Sequence, residues 1–183
     1  MGRMSVLYQR RRLRAGGSGF TLFELIVVIC IVSVVAALLL NRLRVYKEAA
    51  ERASMLQTAA AIKSALQMRV AAYLINGRDG DIEAVRSDNP VTWLQEKPDN
   101  YAGEYFADAY ARVSPGSWYF DQARKELIYV VDLGANFAAG ADGRKWVRYK
   151  VTIEYELMPQ REGPPRTVLT AVNFSPVVPY RWF

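Results

Sequence analysis

The chain is organised around residues 17–40, which read GSGFTLFELIVVICIVSVVAALLL. From residue 20 onward this stretch is almost wholly apolar, and its 21 residues, at about 1.5 Å of helical rise each, would cross about 30 Å of hydrocarbon. One carboxylate, Glu24, lies five residues into the run. A charged side chain at membrane depth costs at least about 2.5 kcal/mol, so Glu24 is a candidate functional residue that requires a partner.

The residues before the apolar run are strongly basic. Residues 1–19 contain five arginines and no acidic residue. These arginines account for most of the excess of 24 lysines and arginines over 18 aspartates and glutamates, so the remaining chain is close to neutral. Positive residues mark the cytoplasmic side of a span, which predicts a cytoplasmic N-terminus and a C-terminal region on the other side. Because the remainder lacks the basic footprint of nucleic-acid binding, nucleic acid is not an expected partner.

Composition excludes several kinds of site. The chain has no histidine and a single cysteine, Cys30, inside the apolar run. This excludes histidine-dependent serine or cysteine nucleophiles, zinc sites built from cysteine and histidine, and an intrachain disulfide. Carboxylate or lysine chemistry stays formally open, but no paired acids can be placed in a pocket, so we expect no enzyme and no cofactor. Asp79, Asp81 and Asp88 are calcium-type ligands without EF-hand spacing, so we expect no metal there.

The helical pattern continues beyond the apolar run. Residues 20–76 contain neither proline nor glycine, the two strong helix breakers. Asn76 and Gly77 tolerate positive φ and predict the C-terminal cap. The expected helix has a membrane-spanning proximal half at residues 20–40 and an amphipathic continuation at residues 41–76. The apolar residues of the continuation recur at intervals of three and four and so lie on one helical face: Met55, Ala59, Ile62, Leu66, Val70 and Tyr73.

The rest of the chain predicts a small sheet. Residues 77–116 read as an irregular connection with a short helix near 90–94. Strand patterns then follow within an antiparallel sheet domain and tail at residues 117–183; they lie at 117–121, 126–133, 146–157 and 167–174.

The third of these strands alternates between apolar and polar residues, and its apolar set is Val147, Tyr149, Val151, Ile153, Tyr155 and Leu157. A sheet with one apolar face must cover that face, and the stripe on the helix can do so. The predicted fold class is therefore α+β: a long N-terminal helix, transmembrane in its proximal half, packed through its distal half on a small antiparallel sheet of three or four strands.

The N-terminal motif carries a resemblance to a known family. A basic leader, Gly19, the hexapeptide Phe-Thr-Leu-Phe-Glu-Leu from Phe20 and a long apolar helix are similar to the class III signal of type IV prepilins and type II secretion pseudopilins. The resemblance implies a pilin-like fold, cleavage after Gly19 by prepilin peptidase, and methylation of the new N-terminus to give N-methylphenylalanine at Phe20. It also implies that Glu24 acts in filament assembly.

The same resemblance implies partners and a location. The partners are prepilin peptidase, other pilin or pseudopilin subunits and the inner-membrane assembly platform. The location is the bacterial inner membrane, in a single pass with a periplasmic C-terminal domain, and then a pilus or pseudopilus. Because the chain has no proline at residues 40–42 and cannot form a disulfide, a minor pilin or pseudopilin fits better than a disulfide-stapled major pilin. Secretion, adhesion, motility and DNA uptake all use this subunit plan.

Other readings of the N-terminus stay open. An uncleaved signal anchor, carrying a sensor or binding domain that does not polymerise, also has basic residues followed by about 20 apolar ones. Glu24 could then extend to the membrane interface. A removable secretory signal fits less well, because the apolar stretch is too long and no small-residue cleavage site follows it.

Overall fold

The computed structural model describes residues 20–159 and 166–183, so the basic leader at 1–19 and the predicted cleavage residue Gly19 lie outside the described part. The chain divides into two compact units, Met1–Arg42 and Leu43–Phe183. A single long helix, α1, spans Leu22–Ile75. By length and composition this helix is able to cross a membrane, and its apolar stretch is wholly exposed.

The C-terminal end of α1 is capped where the sequence predicts. Gly77 has a φ of +65°, and the Arg78 N–H donates to the Tyr73 carbonyl at 2.9 Å. Two 3-10 helices follow, Asp79–Arg86 and Pro90–Trp93. The second confirms the predicted short helix, and its first free N–H, at Val91, donates to the Asn89 side-chain oxygen at 3.1 Å.

The second unit contains one five-stranded sheet in chain order, and its strands are β1 Tyr101–Tyr105, β2 Trp118–Asp121, β3 Glu126–Val130, β4 Trp146–Met158 and β5 Arg166–Pro176. The last four confirm the predicted strands to within a few residues.

β1 was not predicted, and it pairs parallel to β2, whereas all other pairs are antiparallel. The expectation of an irregular connection over 77–116 and of a wholly antiparallel sheet of three or four strands is therefore wrong in this region. β1 reads YAGEY, in which alanine, glycine and glutamate are poor strand formers, so its conformation depends on pairing with β2.

The stripe on α1 covers one face of the sheet, as predicted. Ile62 and Leu66 are fully buried, and they belong to one core cluster with Trp118, Leu127 and Val147. The opposite face is also buried around β2 and β3, because the connection from β1 to β2 crosses it there; the residues of this second cluster are Ala109, Val113, Tyr119, Ile128 and Val130. Crossing over the sheet is what allows β1 to run parallel to β2.

One part of the predicted alternation fails. Tyr155 and Leu157 were expected to share the buried face of β4 with Ile153, but they are 45% and 66% exposed. β3 pairs with β4 only from Trp146 to Tyr149, so the distal half of β4 has β5 as its one strand partner. The sheet is therefore too narrow at this end to bury both side chains.

Candidate functional site

The start of α1 is built by a capping interaction. The Glu24 N–H donates to the Thr21 hydroxyl oxygen at 3.2 Å, and the Leu25 N–H donates to the Thr21 carbonyl at 3.1 Å. Thr21 is thus the N-cap residue and Glu24 the third residue of the helix, which is the Thr-x-x-Glu spacing of a capping box. Phe20 directly precedes the cap and is 68% exposed. The predicted site residues Phe20 and Glu24 therefore lie within the first turn and its entry, where the helix dipole favours an acidic residue.

Glu24 has no charged neighbour on its C-terminal side within the apolar run. It is exposed, and no ion pair within the described residues involves it. The next charged residue is Arg42, 18 residues further on, which corresponds to about 27 Å along a helix. If this stretch lies in hydrocarbon, a counter-charge for Glu24 has to come from the leader, from a new N-terminus or from another molecule.

The proximal part of α1 is apolar on every side. Its large apolar side chains between residues 20 and 40 are between 39% and 76% exposed. Ser33 satisfies its hydroxyl within the helix by donating to the Ile29 carbonyl at 2.7 Å, and Cys30 is exposed among the apolar residues. A helix that is apolar all round is stable only when lipid or other helices surround it.

A second carboxylate site lies in the Leu43–Phe183 unit, and sequence reasoning missed it. Glu48 is only 3% exposed, and its carboxylate accepts three hydrogen bonds. The donors are the Asn136 backbone N–H at 2.7 Å, the Asn136 side-chain amide at 2.8 Å and the Trp182 indole N–H at 3.0 Å. Burial by itself raises the pKa of Glu48, but these hydrogen bonds and the charge of Lys145 outweigh it and hold the pKa below its usual value.

Glu51, one helical turn further along, holds the same loop. Its carboxylate accepts from the Tyr129 hydroxyl at 3.0 Å, from the Asp132 N–H at 2.8 Å and from the Leu133 N–H at 2.7 Å. Burial and the nearby charge of Glu51 both raise the pKa of Tyr129. We call Glu48, Glu51, the loop at 132–136 and Trp182 the carboxylate latch.

The latch also fixes the C-terminus of the chain. The Ala138 N–H donates to the Arg181 carbonyl at 2.9 Å, and the rings of Phe137 and Trp182 meet edge to face with centroids 5.3 Å apart. Gly134 has no room for a side chain, because an added Cβ would lie 2.8 Å from the Lys145 side chain.

A sequence signal for the latch exists, since Glu48 lies seven residues before Met55 and so extends the buried stripe by two turns.

A third polar group lies on the side of the sheet covered by the β1–β2 connection. The Arg144 guanidinium forms an ion pair with Asp108 and lies 4.7 Å from the centroid of the Trp146 ring. Burial raises the pKa of Asp108, but the Tyr110 N–H and Arg144 outweigh it, so the pKa is lowered. These contacts tie the β1–β2 connection to the start of β4 and are structural.

The described residues contain no group of three or more histidine, cysteine, aspartate or glutamate side chains that could hold a metal. Asp81 instead pairs with Arg78, and Asp88 lies 3.8 Å from Arg69. A groove of about 620 Å³ runs between residues 137–142, the start of β4 and residues 178–181. Asp142 is the one acid that lines it, so the groove does not bring two carboxylates together.

The chain was compared with protein-family models, with curated proteins and with solved structures, and none of them matches it.

Proposed function

We propose that this protein is a non-enzymatic subunit of a type IV pilus or type II secretion filament, of the minor pilin or pseudopilin kind. The observation that carries the proposal is Glu24: a carboxylate in the first turn of a helix of membrane length, with no cation between it and Arg42. Cleavage after Gly19 would create a cationic amine on Phe20. In a stack of such helices, the amine of one copy neutralises Glu24 of its neighbour.

The two units of the chain suit the two tasks of such a subunit. The proximal part of α1 offers an apolar surface on all sides, which can exchange lipid for other helices when the subunit leaves the membrane. The Leu43–Phe183 unit has its own buried core and can remain folded during that exchange. The pair between Glu24 and the amine would also set the axial offset between neighbouring subunits.

The proposed function requires three kinds of partner. Prepilin peptidase removes residues 1–19 on the cytoplasmic side of the inner membrane, and the assembly platform extracts the processed chain into the filament. Other pilin or pseudopilin subunits supply the apolar surface and the amine. No catalytic residue and no cofactor are proposed.

One observation favours a competing function. Because the Thr21 hydroxyl accepts from the Glu24 N–H and Glu24 stands at the third helical position, where an acidic side chain favours helix formation, Glu24 could serve only to start the helix of an ordinary membrane anchor. A single-pass sensor or binding protein of this kind keeps residues 1–19 and tolerates loss of the Glu24 charge.

The two functions are separated by mass and incorporation measurements on protein from its native membrane. The filament subunit begins at a methylated Phe20, and replacement of Gly19 by leucine blocks this processing. We expect Glu24→Gln to be processed normally but excluded from filaments, since glutamine keeps the shape and loses the charge. The matched controls are Thr21→Ala, which removes the cap and keeps the charge, and Ser33→Ala, which removes a polar group elsewhere in the run. An intact leader, or filaments of Glu24→Gln at the normal level, would refute the proposal.

A further inference from the structure

We propose that β5 and β1 are the two halves of an interface between copies of this chain, in which the outer edge of β5 in one copy pairs antiparallel with the outer edge of β1 in the next. β1 and β5 are the two edge strands of the sheet, and no other described strand pairs with either of them on the outside. The groups available there are unpaired backbone N–H and C=O, for which another strand is the natural partner.

Strand direction makes the two edges complementary. β2 to β5 alternate in direction, but β1 runs parallel to β2. β1 and β5 of one copy therefore run in opposite directions. When a second copy lies beside the first in the same orientation, its β1 meets β5 antiparallel, and the faces of the two sheets continue. A wholly antiparallel five-stranded sheet would instead have offered a parallel pair, which is slightly less stable per residue.

β5 lacks most of the protection that edge strands commonly have, although its register with β4 shifts between Leu169 and Ala171. Residues 167–175 read TVLTAVNFS and contain no charge, no proline and no glycine. Natural proteins usually interrupt an exposed edge with lysine, proline or a short strand, and a long uncharged edge rich in β-forming residues associates with other strands. At 11 residues β5 can accept the five residues of β1.

Each edge strand carries a single charge, and the two charges differ in sign. The only charged residue of β5 is Arg166, its first residue, and the only charged residue of β1 is Glu104, its last but one. Pairing of the two edges therefore brings no like charges together. Glu104 is held in place because it accepts from Asn89 at 2.7 Å and from Gln122 at 2.6 Å.

The inference rests on the proposed function for one step, since membrane anchoring and filament assembly place copies side by side in one orientation. It adds which surfaces of the Leu43–Phe183 unit meet. The polarity of the contact suits a filament, because two different edges join head to tail and the contact does not close on itself.

Cysteine cross-linking in native membranes and sheared filaments tests the interface. Cys30 is first replaced by alanine in the full-length chain. One variant carries Ala102→Cys in β1, and a second carries Thr167→Cys or Thr170→Cys at the start of β5; these three positions are exposed. A short bis-maleimide is added to cells that express both variants. Opposite and diagonal neighbours on paired strands have Cβ atoms about 5–8 Å apart, which a short bis-maleimide spans, so we expect covalent dimers from the mixture. A single chain with both cysteines gives a ladder of multimers.

The matched control replaces Thr152, which is also exposed but lies on the inner strand β4. Ala102→Cys combined with Thr152→Cys is expected to give no dimer. Three outcomes would each overturn the interface. The β1–β5 mixture could give no dimer, or the control pair could cross-link equally well. Dimers formed by Thr170→Cys alone would indicate that β5 pairs with itself. The mass of the same protein reports independently whether it begins at Phe20. Processed filaments without the cross-link refute the interface and leave the proposed function standing, whereas an intact leader refutes the proposed function.

Discussion

Loss of the Glu48 carboxylate should destabilise the Leu43–Phe183 unit. In Glu48→Ala three N–H donors lose their acceptor, two from Asn136 and one from Trp182. A buried donor left without a partner costs about 1–3 kcal/mol, and partial access of the loop to water moderates the sum, so we expect a loss of about 3 kcal/mol. Glu48→Gln keeps one acceptor oxygen, and the Asn136 side-chain amide can rotate to accept from the new NH₂ group; we expect a loss of about 1–2 kcal/mol.

Urea unfolding of the full-length protein in detergent micelles measures these losses. All four tryptophans lie in the Leu43–Phe183 unit, so indole fluorescence follows the unfolding of that unit. Lys47→Ala, at the exposed neighbouring position, is the matched control and should change the unfolding free energy by less than about 0.5 kcal/mol. If Glu48→Ala is no more destabilising than Lys47→Ala, the latch does not hold the loop and the C-terminus.

The pH dependence of the same measurement has a definite sign. The pKa of folded Glu48 lies below its unfolded value of 4.5, so its contribution to stability is fully present above pH 4.5. It is lost as the pH falls through the folded pKa. The difference in unfolding free energy between the native chain and Glu48→Gln should therefore be constant from pH 7 to 5 and shrink below pH 4.5. A difference that stays constant down to acid unfolding would contradict the lowered pKa. Glu104 and Asp108, whose pKa values are also lowered, remain in both proteins and so cancel in the difference.

Two further predictions concern the helix. Leu66→Ala empties a fully buried position under the sheet and should lower the unfolding free energy by about 2–5 kcal/mol. The control is Leu74→Ala, at a position of the same helix that is 47% exposed, which should lower it far less in the same urea titration. Gly77→Ala places a side chain at a φ of +65° and should lower the unfolding free energy by about 1–2 kcal/mol. The control is Gly80→Ala, at a glycine with an ordinary φ and open space around it, which should lower the unfolding free energy less. Equal effects would show that an alanine is not strained at the cap.

Periodicity was a good guide wherever the pattern extended over several turns or residues. The stripe from Met55 to Val70 is buried as its spacing predicts, because a face with repeated apolar residues has to leave water whatever covers it. The four strands at 118–121, 126–130, 146–158 and 166–176 were predicted for the same reason. β1 was missed, since YAGEY has no strand preference of its own and becomes a strand through its hydrogen bonds to β2.

The candidate site divides in the same way. The motif at Gly19, Phe20 and Glu24 is a prediction from the sequence, which needs no tertiary contact because its residues are consecutive or about one turn apart; the structure describes Phe20 and Glu24. The carboxylate latch was not, since Glu48 meets its partners Asn136 and Trp182 at separations of 88 and 134 residues. A buried glutamate on an apolar stripe signals that donors exist, but the sequence does not say which loop provides them.

The sequence by itself determined the membrane-length helix, the amphipathic continuation and the presence of one carboxylate within the apolar run, because each follows from local spacing and the cost of exposing or burying a side chain. Only the tertiary structure decided the parallel pairing of β1, the opposite directions of the two sheet edges and the docking of the C-terminus on Glu48. These depend on which distant segments meet, and in a polypeptide chain that is settled by packing and backbone hydrogen bonding across the fold.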